Sequence, residues 1–127
     1  TSKGRQDMAS EADLNVEWLI RDRLAKRFPE DAFQGEQTGR GEVEGADGIW
    51  VVDPIDGTQP FVHGLTSWCV SFAYVRDSVV EMGFVNAPAR SELFVGRRGG
   101  GATLNGDAIA VAEASRLDQG ILIQTWR

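Results

Sequence analysis

The segment Asp53-Pro54-Ile55-Asp56-Gly57-Thr58 follows directly on the apolar run Ile49-Trp50-Val51-Val52, and this junction constrains the chain more than any other feature. Four apolar, β-rich residues read as a buried strand, and Pro54 and Gly57 suit no strand interior, so the strand is expected to end at Val52. Two carboxylates then leave the sheet together. Asp53 stands at the strand end and Asp56 three residues later in the turn, so both side chains can reach one volume, with the Ile55 carbonyl free beside them. Three hard oxygens of this kind suit Mg²⁺. Gly57 and Thr58 add backbone N–H groups able to receive phosphate oxygens, which makes Ile55, Asp56, Gly57 and Thr58 candidate substrate-binding residues. The same letters also spell an ordinary turn in which Asp side chains cap backbone N–H groups without a metal. A calcium loop of the EF-hand type does not fit, because its third, fifth and twelfth positions counted from Asp53 are Ile55, Gly57 and Gly64.

A second acidic position lies upstream in Phe33-Gln34-Gly35-Glu36-Gln37-Thr38-Gly39. Glu36 ends a short extended approach and is expected to join Asp53 and Asp56, giving three carboxylates whose mutual repulsion calls for cations, two divalent ions for preference. The plainer alternative is a solvated loop carboxylate. Further upstream, Met8-Ala9-Ser10-Glu11-Ala12-Asp13 is expected to open a helix whose apolar residues Val16, Ile20, Leu24 and Phe28 recur every four positions until Pro29. Ser10 reads as its N-cap. Asp13 then falls in the first turn on the buried face, either as a capping residue favoured by the helix dipole or as part of the site.

Taken together, these residues resemble the inositol monophosphatase family, the Mg²⁺-dependent, lithium-sensitive phosphatases. The resemblance is carried by S-E-A-D (10 to 13), F-Q-G-E-Q (33 to 37), W-V-V-D-P-I-D-G-T (50 to 58), F-V-H-G (61 to 64) and G-G-A-T-L-N-G (100 to 106), in that order and spacing. It implies that Glu36, Asp53, Asp56 and the Ile55 carbonyl hold Mg²⁺. It further implies that Thr58, with Glu36, orients and activates the attacking water, and that Asp13 is a supporting acidic residue behind the metal ligands. Gln37 departs from the family pattern, which usually carries a second acid there. The family has another metal-binding Asp and much of its substrate pocket in a C-terminal half beyond Arg127, and a first helix ahead of Thr1. We therefore expect residues 1–127 to form an N-terminal metal-binding domain, a fragment that alone binds metal weakly and turns over no substrate.

Composition bounds the partners. Thirteen Lys and Arg against nineteen Asp and Glu give a net charge of −6, which argues against a nucleic acid polymer and also repels a phosphorylated substrate unless cations are bound. The lone cysteine, Cys69, lies in the apolar run Trp68 to Phe72; it cannot form an internal disulfide and is expected to be a small buried hydrophobe in a reducing compartment. No run reaches the length of a membrane span, so no membrane and a cytoplasmic location are expected. The expected partners are a small phosphorylated substrate and, in the full-length form, a second copy in a homodimer.

The remainder alternates β-rich segments with turns: Trp68 to Arg76, Val79 to Val85, Glu92 to Val95, Ala102 to Leu104 and Ile121 to Thr125. Asn105-Gly106-Asp107 is a hairpin turn, because Asn and Gly accept the positive φ of type I′. Gly99-Gly100-Gly101 lacks a following Gly-Lys-Ser/Thr and reads as a strand connection, Arg97 and Arg98 as solvated cations, and His63 as a loop residue. The expected fold is α+β, with one or two N-terminal helices packed on a mainly antiparallel sheet, the first half of the αβαβα sandwich that the resemblance implies. The expected function is hydrolysis of a small phosphate monoester by two-metal activation of water, inositol monophosphate first. Histidinol-phosphate or a nucleotide bisphosphate are the alternative substrates, and an acidic interaction module without turnover is the alternative class.

Overall fold

The computed structural model describes residues 2–113 and 116–121. One long helix, α1 (Ser2–Arg27), leads into an eight-stranded sheet: β1 (Ala32–Gly35), β2 (Gly39–Gly41), β3 (Ile49–Asp56), β4 (Cys69–Arg76), β5 (Val79–Ala87), β6 (Glu92–Arg97), β7 (Gly101–Leu104) and β8 (Asp107–Ile109). A short helix, α2 (Thr58–Val62), joins β3 to β4. The sheet order is β2-β1-β3-β4-β5-β6-β7-β8, and only β1 and β3 run parallel. The α+β expectation and the mainly antiparallel sheet are met. The strand expected over Ile121 to Thr125 falls, from residue 122 onward, outside the described residues.

Helix α1 starts at Ser2, not near Ser10, so Ser10 is no N-cap and Asp13 lies well inside the helix. Nothing upstream forces a stop, since Gly4 is the only weak helix former of consequence before Ala9 and costs about 1 kcal/mol. The last turn carries Lys26 and Arg27, cations that complement its negative dipole end. Three of the four stripe residues pack as anticipated, while Val16 lies outside the cluster and Leu19 beside the stripe is exposed. Ile20, Leu24 and Phe28 pack on a sheet-face cluster of Phe33, Trp50 and Val52, joined by Phe72, Tyr74 and Phe84. Trp50 is its centre, with its ring 5.4 Å from Phe28 and 4.9 Å from Tyr74. Its indole N–H donates to Asp31 Oδ2 at 3.0 Å and the Tyr74 hydroxyl donates to Asp31 Oδ1 at 3.2 Å, so one carboxylate satisfies both polar tips.

Strand β3 does not end at Val52. It runs through Asp53 and Pro54 to Asp56, with its pairing to β4 shifting between Asp53 and Asp56. Pro54 is tolerated there, fully buried, because a β-bulge asks no ladder hydrogen bond of it. The Asn105-Gly106 hairpin is as expected, with φ of 49° and 87°. Asp77 and Ser78, both at positive φ, form the equivalent two-residue turn between β4 and β5.

Candidate metal centre

Parallel neighbours deliver their carboxyl ends to the same edge of a sheet, and β1 and β3 do so here. Glu36 is the first residue after β1, and its N–H donates to Val52 O at 3.2 Å, tying it to β3 one residue before Asp53. The bulge then decides where the aspartates point. In a regular strand, positions three apart face opposite sides. Asp53 pairs with Ser71 and Asp56 with Cys69, and those partners are two apart on β4, so the one extra residue in β3 returns both carboxylates to one side.

The Asp53 carboxyl group lies against that of Glu36, so the two acids act on each other as close neighbours. Burial, then the Glu36 charge and the closeness of that carboxyl group, then the Asp56 charge push the Asp53 carboxyl up to about 6, against the Ile55 N–H, which favours the anion. Asp13 is 5% exposed on α1, and burial, followed by the charges of Asp53 and Glu17, raises it to about 6 as well. Oδ1 of Asp13 and Oδ1 of Asp53 are both buried with no hydrogen-bond partner in the protein. Asp56 is exposed beside the pair. Among the described residues, no three carboxyl, imidazole or thiol groups close into one tight cage. The edge instead holds one contacting pair, Glu36 and Asp53, flanked by Asp13 and Asp56.

These groups fit a hard divalent cation. Buried acid oxygens without donors are stabilised by a bound positive charge, and the carboxylate and carbonyl oxygens here are the hard ligands that Mg²⁺ prefers. The Ile55 carbonyl accepts from the Thr58 hydroxyl at 3.2 Å, which leaves a lone pair for a metal and anchors Thr58 at the start of α2. Gly57 makes this turn with φ 91°, and a Cβ there would stand 2.8 Å from the Ser67 carbonyl. His63 does not enter the site: its Nδ1 lies 2.9 Å from Gln59 O at the end of α2. Arg98 is not free either, since it pairs with Glu81 at 3.3 Å.

Two residues at this edge escaped the sequence reading. Cys69 is half-buried and not simply core, with its thiol 4.0 Å from Asp56 Oδ2; burial and then the charges of Asp56 and Asp53 push the thiol up. Its pairing opposite Asp56 is visible only once β3 and β4 are in register. Glu17 is completely buried and accepts the backbone N–H of Gln37 at 2.7 Å and of Thr38 at 2.6 Å. The available signal was the acidic i, i+4 pair Asp13 and Glu17 running beside the apolar stripe of α1.

Several chains similar to this one carry phosphatase names. The fructose-1,6-bisphosphatase/inositol-1-monophosphatase of Thermotoga maritima is 39% identical over 116 residues, covering 91% of this chain and 44% of its own. Inositol monophosphatase 1 of Solanum lycopersicum is 41% identical over 123 residues, 94% of this chain and 45% of its own. Among solved structures, the extragenic suppressor protein SuhB of Bartonella henselae superposes with a TM-score of 0.83 at 33% identity, covering 87% of this chain and 47% of that one. The inositol monophosphatase family model matches residues 1–127, and the chain belongs to that family, whose members are metal-dependent phosphatases. It spans somewhat under half the length of the curated relatives it matches.

Proposed function

We propose that the whole protein carrying this chain hydrolyses a small phosphate monoester, with inositol monophosphate the first substrate, and that Mg²⁺ is its metal. The observation that carries this reading is the pair of unpartnered buried oxygens, Asp13 Oδ1 and Asp53 Oδ1, at the edge where Glu36, Asp53 and Asp56 come together. Glu36, Asp53, Asp56 and the Ile55 carbonyl would hold the ions. Bound Mg²⁺ supplies charge to the phosphoryl oxygens and lowers the pKa of water. Thr58, its hydroxyl fixed on Ile55 O, and Glu36 orient the water that attacks phosphorus while the ester P–O bond breaks, giving an alcohol and inorganic phosphate. Asp13 serves behind them as a buried acid that restrains Asp53. The Gly57 and Thr58 amides face the phosphate as α2 begins.

The dual name of the Thermotoga relative makes the leaving alcohol the open variable. Phosphate release from inositol monophosphate, fructose 1,6-bisphosphate, histidinol-phosphate and a nucleotide bisphosphate, with Mg²⁺ and with EDTA, tests the proposal. Release only with metal, fastest on inositol monophosphate, is expected. Undiminished release in EDTA overturns the metal assignment, and no release from any of the four favours an acidic interaction module.

A further inference from the structure

A glutamate buried without exposure is costly unless both oxygens are bonded, and a well-packed apolar residue is the usual occupant of such a position. Glu17 meets that demand by taking the N–H groups of Gln37 and Thr38, at 2.7 and 2.6 Å, in short charge-assisted hydrogen bonds. Gly35 makes the approach possible, since a Cβ there would overlap the Glu17 carboxylate. Arg21, one turn on, donates to the Thr38 hydroxyl at 2.8 Å and holds the same turn from a second point. The residue enclosed by these contacts is Glu36, preceded by Gly35, followed by Gln37, and tied through its own N–H to Val52 O. Its side chain is exposed while its backbone is held on both sides.

From this enclosure we infer that Glu17 is a positioning residue: through the Gln37 and Thr38 amides it fixes the Glu36 carboxylate against Asp53. The inference rests on the reading of Glu36 as a metal ligand. Near-octahedral Mg²⁺ tolerates little displacement of its oxygens, so a turn free to shift would weaken the site without altering any ligand. An apolar residue at position 17 would leave the Gln37 and Thr38 N–H groups without their acceptor, and glutamine offers one acceptor where two are used.

The test is Mn²⁺ binding by calorimetry on the whole protein as wild type, Glu17→Gln and Glu36→Gln, with hydrogen exchange of the Gln37 and Thr38 amides followed alongside. Glu17→Gln is expected to bind Mn²⁺ about 10–100-fold more weakly, the usual effect of losing a residue that orients a ligand, and to exchange both amides faster. A purely structural role would lower the metal-free melting temperature yet leave Mn²⁺ affinity, measured well below it, unchanged. Wild-type affinity in Glu17→Gln with a loss in Glu36→Gln overturns the positioning role and leaves the phosphatase reading intact. Wild-type affinity in both overturns the two together. Should Glu17→Gln not fold, Glu17→Asp keeps the charge but draws it back by about one bond length, roughly 1.5 Å, and wild-type affinity in that variant overturns the proposal equally.

Discussion

The Asp13 carboxylate of α1 lies within the field of the Asp53 carboxylate of β3, and each keeps one oxygen buried without a hydrogen-bond partner. Two acids placed so gain nothing for the fold on their own. Folding favours the neutral form of each relative to the unfolded chain, and that fixes the sign of its effect on stability.

A folded-state pKa raised from 3.8 to about 6 means that Asp13 binds its proton more tightly folded than unfolded. Its unfavourable contribution is absent below the unfolded pKa, grows as pH rises through the window from 3.8 to about 6, and is constant above. Urea denaturation in EDTA should therefore show Asp13→Asn more stable than wild type by about 3 kcal/mol at pH 7.5, with the gap closing near pH 4. A gap independent of pH would show that Asp13 is not strained by its charge.

Asp56→Asn is expected to lower phosphate release by about a hundredfold or more, as loss of an anionic ligand displaces metal and water together. The side chain is exposed, with the Cys69 thiol at 4.0 Å, so the melting temperature should barely move. Early melting with full specific activity would make Asp56 a turn residue only.

Asp31→Ala should separate the core from the site. It strips the partner from the Trp50 indole N–H and the Tyr74 hydroxyl, and is expected to cost about 1–3 kcal/mol in chemical denaturation. Mn²⁺ affinity should stay at the wild-type value. A parallel loss of affinity would mean that the aromatic cluster sets the geometry of the strand ends.

Gly57→Ala forces a side chain into φ 91° and toward the Ser67 carbonyl, strain of about 1–3 kcal/mol. The turn is expected to open and carry Thr58 off the Ile55 carbonyl, so that kcat falls more than substrate affinity. Equal changes in kcat and KM at constant kcat/KM would count against that route.

Much of this was legible in the letters. The i, i+4 stripe of Ile20, Leu24 and Phe28 gave the packing face of α1, Asn105-Gly106 gave a hairpin, and Glu36 stood at the end of an extended segment. What could not be read depended on partners distant in sequence. Pro54 looked like a terminator because a bulge exists only against β4. Ser10 looked like a cap because its local pattern is that of one, while the helix simply continues through it. The part Glu17 plays could not be read beyond its spacing from Asp13, because its partners are backbone amides of a turn, which carry no letter.

The single additional residue between Asp53 and Asp56 works as a parity switch for the strand. Counting three positions on β3 against two on β4 is what lets both acids occupy the same surface. Side-chain substitution alone cannot reproduce that: a flat strand offered the same two aspartates would display one on each side. The spacing and the irregularity therefore act as a single unit, and any scaffold meant to borrow this pair must borrow the miscount with it.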